Sequence, residues 1–175
     1  LDAVLEIDGT VESHRYLHVD QAGEGLDVRW TVQDRPLRER LILPRPMDDE
    51  QQFAFRQFTT GMDEGLATVA VHDDQLVGLL LAQVRPTGVL RLLDLRVEFD
   101  QRREGLATAM LYAAIAGARD QELRAIAADV PANNGPAHEL FAKLGFALAG
   151  LDTLRFSNHD LVKEAVTMFW YLTLD

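Results

Sequence analysis

The sequence of 175 residues predicts an α+β domain, with a mixed, mostly antiparallel sheet and flanking helices. Two observations carry this. Short β-rich stretches occur in neighbouring pairs separated by turn signals, the pattern of antiparallel hairpins. One apolar stretch, Leu90-Arg91-Leu92-Leu93-Asp94-Leu95-Arg96-Val97, is followed by a helical segment and then by a second apolar stretch, residues 125–130, the pattern of a crossover. The length fits a single domain, residues 1–175, with enough chain for a substantial core.

Taken in order, residues 2–9 read as the tail of a short helix ending near Gly9. Residues 15–19 and 26–32 are β-rich, and Gly23-Glu24-Gly25 between them predicts a hairpin. Pro44-Arg45-Pro46 breaks the chain before a helix from about Asp48 to Thr60, in which Phe53, Phe55 and Phe58 read as core or pocket wall. Residues 66–71 and 76–84 are two strands joined by a tight turn at Asp73-Asp74, and Pro86-Thr87-Gly88 leads into the strand ending at Val97. A helix runs from Gly105 to about Gln121, with Leu106, Ala109, Met110 and Ala113 as its core-facing stripe. After the strand at 125–130, the loop Pro131-Ala132-Asn133-Asn134 opens a helix whose face is Ala137, Leu140, Phe141 and Leu144 and whose stop signal is Gly145. Residues 146–153 and 166–174 close the sheet.

The chain contains no cysteine, which excludes disulfides, zinc–thiolate sites and a thiol nucleophile. The absence fits a cytoplasmic protein, and no apolar run is long enough to span a bilayer. The first residue is leucine, so natural residues are expected in front of it. Net charge is −11, divided as −8 over residues 1–89 and −3 over residues 90–175. Such a surface disfavours nucleic acid and anionic membranes; it either attracts a small cationic partner or simply keeps the protein soluble. His14, His18 and His72 lack metal-ligand spacing, so no metal site is expected.

The most informative segment is Arg102-Arg103-Glu104-Gly105-Leu106-Ala107, between an apolar strand and a helix. A helix starting near Gly105 leaves its first N–H groups without intrahelical acceptors, and these donors suit a phosphate. Glycine allows a left-handed backbone and close approach of a ligand, and small Ala107 keeps the next position open. There is no P-loop lysine. This hexapeptide resembles the Arg/Gln-x-x-Gly-x-Gly/Ala loop of the GNAT superfamily of acetyl-CoA-dependent N-acetyltransferases. The segment Asn134-Gly135-Pro136-Ala137-His138-Glu139-Leu140-Phe141-Ala142-Lys143-Leu144-Gly145-Phe146 resembles the family's second landmark, Asn-x-x-Ala-x-x-Leu-Tyr-x-x-x-Gly-Phe, in the right order and at the right distance.

The resemblance implies the GNAT fold, with two central strands splayed apart and the first strand of the fold lying in front of residue 1. It implies that acetyl-CoA lies along the backbone of Leu95, Arg96 and Val97 as an added strand. It further implies cofactor contacts from Arg102, Arg103, Glu104, Gly105, Leu106, Ala107 and Thr108, and from Asn134, Ala137, Phe141 and Lys143. Asn134 can also cap the helix that begins near Gly135. Asp94 falls on a carboxylate of the family's strand motif, where it binds the substrate ammonium or relays its proton. The alternative is a strand carboxylate that bonds only to backbone or arginine. Phe141 departs from the family's tyrosine and cannot protonate the departing thiolate; Tyr112, Tyr171 and His138 are candidate replacements.

Gly150-Leu151-Asp152-Thr153, directly after the Gly-Phe landmark, resembles the streptothricin acetyltransferases, a GNAT group acting on an antibiotic's β-lysyl amine. Ile7-Asp8-Gly9-Thr10 and His18-Val19-Asp20 are similar to that group's pattern as well. Ser157-Asn158-His159-Asp160 reads as a turn, and Phe169-Trp170-Tyr171 as a packed closing strand with one ring at the acceptor site or in a homodimer contact. The implied activity is transfer of acetyl to a primary amine of a small cationic acceptor, of streptothricin or aminoglycoside type. A protein or peptide amine as acceptor, and a non-catalytic acyl-CoA sensor or scaffold, are the alternatives.

Overall fold

A capping box opens the first long helix and shows how the local sequence fixes the elements. In this computed structural model, which describes residues 2–175, Asp48 accepts from the N–H of Gln51 at 2.8 Å, and the Gln51 side chain accepts from the N–H of Asp48 at 2.9 Å. That helix is α2 (Asp49–Thr59), preceded by α1 (Asp2–Leu5), β1 (Val11–Glu24) and β2 (Asp27–Leu43). Then come β3 (Gly65–His72), β4 (Gln75–Arg85) and β5 (Val89–Val97). A single 3-10 turn, Phe99–Gln101, leads to α3 (Leu106–Asp120), β6 (Ala125–Pro131), α4 (Gly135–Lys143), β7 (Ala147–Asp152) and β8 (Thr167–Thr173).

β1 and β2 form an antiparallel two-stranded sheet, and the remaining strands are ordered β3-β4-β5-β6-β8-β7. β3-β4 and β4-β5 are antiparallel, whereas β5-β6 is parallel, joined through α3. The sheet is therefore mixed, as expected of the α+β class. Asp73 and Asp74 take positive φ (48° and 62°), the geometry of a tight two-residue hairpin turn, which aspartate tolerates.

Several expectations need correction. The β1-β2 hairpin is much longer than 15–19 and 26–32, and it turns at Gly25-Leu26. α1 ends at Leu5, before Gly9. In α3 the buried face is Met110, Leu111, Ala114, Ile115 and Ala118, while Ala109 and Ala113 are exposed. In α4 the fully buried residues are His138 and Phe141, with Ala137 half-buried. Phe53 is 61% exposed, so of the three phenylalanines of that helix Phe55 and Phe58 pack on the core.

By its internal contacts the chain divides into two compact units. One contains residues up to Thr10, Pro44–Ala128 and Tyr171–Asp175; the other contains Val11–Leu43 and Asp129–Trp170. The first unit is centred on Val4, Ile7, Met47, Ala54, Leu79 and Leu81, with Phe55, Phe58, Leu76 and Leu93 packed against them. In the second, β1 is anchored to the start of α4: the Gly135 N–H donates to Ser13 Oγ at 3.0 Å, and the Leu17 N–H to Ala132 C=O at 2.9 Å. Among the described residues no helix is long and apolar enough to cross a membrane.

Candidate functional site

β5 changes character at Leu93. Leu92 is opposite Ala82 and Asp94 is opposite Leu81, so Leu93 is an extra residue, a β-bulge. The ladder with β6 ends at the same place, at Leu92 and Ala128. From Asp94 to Val97 the strand keeps β4 as its ladder partner, and its other edge has no ladder partner among the described residues. The carbonyl freed at the bulge is caught by Gln51, whose Nε2 donates to Leu93 C=O at 2.8 Å. Gln51 is buried, so the same side chain caps α2 and pins the bulge.

Beyond β5 a loop leads into α3. Arg103 (φ 64°) and Gly105 (φ 84°) are left-handed on either side of Glu104. The first backbone bond into α3 runs from Ala109 N–H to Gly105 C=O at 2.9 Å. The N–H groups of Leu106, Ala107 and Thr108 therefore have no intrahelical carbonyl, and the positive end of the helix dipole lies with them. No atom comes within 4 Å of the position a Gly105 Cβ would occupy, so glycine is required there by φ and not by crowding. Arg103, Glu104 and Gly105 are exposed, and Leu106, Ala107 and Thr108 are half-buried.

Arg102 behaves differently from its neighbours. Its Nε donates to Val97 C=O at 2.8 Å, Nη1 to Thr10 C=O at 2.7 Å and Nη2 to Asp8 C=O at 3.0 Å. Its guanidinium lies over the Phe99 ring, 5.4 Å from the centroid. The Asp8-Gly9-Thr10 segment is itself fixed: Asp8 N–H donates to Glu98 Oε1 at 2.9 Å, and the Asp8 carboxylate accepts from Thr10 N–H at 2.8 Å. The Thr10 backbone and hydroxyl, then the charges of Arg102 and Arg96, hold the Asp8 carboxyl below the usual range.

Asp94 and Arg96 share one face of β5 and form an ion pair, with Arg96 Nε donating to Asp94 Oδ2. Both side chains are almost completely buried, at 1% and 3% exposure. Arg96 Nη1 also reaches Ile7 C=O at 3.4 Å. Asp94 thus has the arginine partner that a structural strand carboxylate would have.

In the second unit, Asn134 caps α4, its Oδ1 accepting from Ala137 N–H at 3.3 Å. Phe141 is buried and packs on Phe146, with ring centroids 5.0 Å apart, while Lys143 is exposed. His138 is held at both nitrogens. Nε2 donates to Pro131 C=O at 2.9 Å, and Nδ1 accepts from Trp170 Nε1 at 3.0 Å. Burial lowers its pKa to about 4, so the ring is neutral near pH 7 and its one proton, on Nε2, is engaged by the Pro131 carbonyl. Of the tyrosine candidates, Tyr112 is 59% exposed on α3, and Tyr171 packs on Val89, Ala125 and Ala127.

Two further clusters complete that unit. Tyr16 Oη is 3.1 Å from His18 Nδ1, and His18 Nε2 is 3.0 Å from Asp20 Oδ1. An ionised carboxylate only accepts, so Nε2 is the donor to Asp20. Asp160 accepts from Phe156 N–H at 2.9 Å and from Ser157 Oγ at 2.7 Å, which keeps its carboxyl below the ordinary range and makes the 157–160 tetrad a turn. Among the described residues no group of three His, Asp or Glu is placed to hold a metal ion.

The sequence profile of the Acetyltransferase (GNAT) family matches residues 31–146. The chain belongs to the GNAT acetyltransferase family. It is 28% identical over 102 residues to the streptothricin acetyltransferase of Escherichia coli, an alignment covering 58% of the chain and 59% of that relative's length. Among solved structures it is similar to nourseothricin acetyltransferase, with TM-score 0.78 and 22% identity over 99% of the chain and 92% of the neighbour. It is also similar to a protein of Bacillus anthracis str. Ames, assigned as a streptothricin acetyltransferase and solved with acetyl coenzyme A. There the TM-score is 0.72 and identity 19%, over 97% of the chain and 89% of the neighbour. At these identities the two structures show the GNAT fold.

Within this GNAT domain, sequence reasoning missed Gln51, Glu98 and the Asp8–Thr10 turn. Gln51 was detectable, because Asp48-x-x-Gln51 before an aromatic run is a capping-box signature. Glu98 has no such signal, since its partner Asp8 lies ninety residues away, whereas the turn itself is closed locally by the Asp8 carboxylate and Thr10 N–H, and only its grip by Arg102 is remote.

Proposed function

We propose that this GNAT-family member is an acetyl-CoA-dependent N-acetyltransferase acting on a primary amine of a small cationic acceptor of streptothricin or aminoglycoside type. The observation that carries the reading is the left-handed loop at Arg103 and Gly105, which opens α3 with free N–H groups directly after a strand whose edge is unladdered. Diphosphate oxygens suit the donors of residues 103–108, and an amide-bearing arm suits the edge of Leu95, Arg96 and Val97. Asn134, Ala137, Phe141 and Lys143 enter the proposal through the family resemblance.

In the proposed reaction the neutral amine attacks the thioester carbonyl carbon. A C–N bond forms, the C–S bond breaks, and a thiolate leaves. A backbone N–H of the β5 edge stabilises the oxyanion. The nitrogen loses its proton to water, with Asp94 as the proposed relay, and the thiolate is protonated by water because Phe141 has no hydroxyl. The streptothricin acetyltransferase relative and the net charge of −8 over residues 1–89 support a cationic antibiotic as acceptor.

A thiol-release assay with acetyl-CoA and a panel of amines tests this. Turnover of streptothricin-type amines is expected. Peptide acetylation without small-amine turnover would replace the acceptor assignment, and coenzyme A binding without turnover on any amine would leave a non-catalytic binder.

A further inference from the structure

We propose that Arg102 is a positioning residue of the loop and not a ligand of the phosphates: its guanidinium, seated on the carbonyls of Val97, Asp8 and Thr10, sets the backbone from which residues 103–108 present their N–H groups. The inference rests on reading that loop as the coenzyme A cradle. Three donors of one planar fork meet three carbonyls at 2.8, 2.7 and 3.0 Å, which fixes the plane and direction of the side chain. The Arg102 N–H is also used, donating to Phe99 C=O at 3.3 Å. The next residue, Arg103, turns left-handed, so Arg102 directly precedes the change of backbone direction.

What Arg102 grips is equally rigid. A Cβ on Gly9 would lie 2.5 Å from Arg45 C=O and 3.0 Å from Arg96 Nη1, so position 9 has no room for a side chain. Glu98 holds Asp8 N–H at one side of that glycine, and the Asp8 carboxylate holds Thr10 N–H at the other. The Ile7-Asp8-Gly9-Thr10 motif thereby acquires a physical role: it presents two carbonyls to Arg102 and leaves the exposed charge of the loop to Arg103. Lysine can match the charge of Arg102 but not its fork, because an ammonium is a point donor.

Coenzyme A binding to the full chain, measured by calorimetry over a salt series, tests this in wild type, Arg102→Lys, Arg102→Met and Gly9→Ala, each checked for cooperative unfolding. Both Arg102 variants are expected to bind roughly tenfold more weakly, by similar factors. Gly9→Ala, which alters no atom of the loop, is expected to weaken binding in the same direction. The salt dependence is expected to stay as in wild type in every variant, because no phosphate contact is removed. Wild-type affinity in Arg102→Lys, or a flattened salt dependence in Arg102→Met, would overturn the positioning role and make the arginine a charge contact. A wild-type chain that binds no coenzyme A would overturn the cofactor reading itself.

Discussion

The indole N–H of Trp170 donates to Nδ1 of His138 at 3.0 Å, fixing the imidazole proton on Nε2, where the carbonyls of Pro131 and Ala132 receive it at 2.9 and 3.2 Å. A second proton on this ring would displace the indole bond and charge a buried group. The pKa accordingly falls from 6.5 to about 4. At pH 5 the unfolded chain binds a proton at this histidine that the folded chain does not, so stability rises with pH across this window. His138 therefore stabilises fully above its unfolded value of 6.5, and that contribution declines as pH falls to about 4, a loss of roughly 3 kcal/mol. Denaturant unfolding at pH 7.5 and 4.5 in wild type and His138→Gln measures it. The pH dependence should shrink in the variant, and an equal dependence would refute the assignment.

The buried pair of Asp94 and Arg96 predicts a distinct double-variant result. Asp94→Asn leaves a guanidinium buried without its anion and should destabilise the protein by about 3–5 kcal/mol. Adding Arg96→Met should restore part of that stability. If Asp94 relays the amine proton, acetyl transfer stays at least roughly tenfold slow in the double variant, with coenzyme A affinity preserved. Recovery of the rate together with stability would remove Asp94 from the chemistry.

Gly105 separates conformation from charge. Gly105→Ala meets no neighbour within 4 Å, so its penalty comes from the positive φ of 84° and should be about 1–2 kcal/mol of stability. Gly105→Glu carries the same backbone penalty and adds a carboxylate where the phosphates are proposed to sit. It should weaken coenzyme A binding by roughly a hundredfold, equivalent to about 2.7 kcal/mol. Equal affinity in the two variants would rule the loop out as the cradle.

Gln51→Leu removes the amide that caps α2 and pins the bulge at Leu93. The bulge carbonyl loses its partner, and a loss of about 1–3 kcal/mol in thermal or denaturant unfolding is expected. A variant as stable as wild type would show that water or another donor satisfies Leu93 equally well.

The parts of the molecule legible in the sequence are those whose signals are local. Asn134 as a cap, Gly145 as a helix stop and Asp73-Asp74 as a turn each act within a few residues. The loop at Gly105 was legible for the same reason. The β1-β2 hairpin was underestimated because stretches such as Arg38-Glu39-Arg40 are exposed on successive residues and show no alternation of apolar and polar positions. The buried face of α3 was misplaced because Ala109, Ala113 and Ala116 are apolar yet exposed, so periodicity could not identify the inward side. The bulge at Leu93 and the grip of Arg102 on Asp8 depend on contacts between distant segments and have no local signature.

A positive φ of 64° at Arg103 carries a consequence for how this loop can evolve. Glycine would adopt that conformation without the steric penalty of a side chain, so Arg103→Gly trades relief of local strain against greater freedom of the unfolded chain. An arginine there bears the strain and keeps a solvent-facing positive charge between Arg102 and the helix start. Selection for thermal robustness and selection for anion affinity would thus act on the same codon, and they need not favour the same residue.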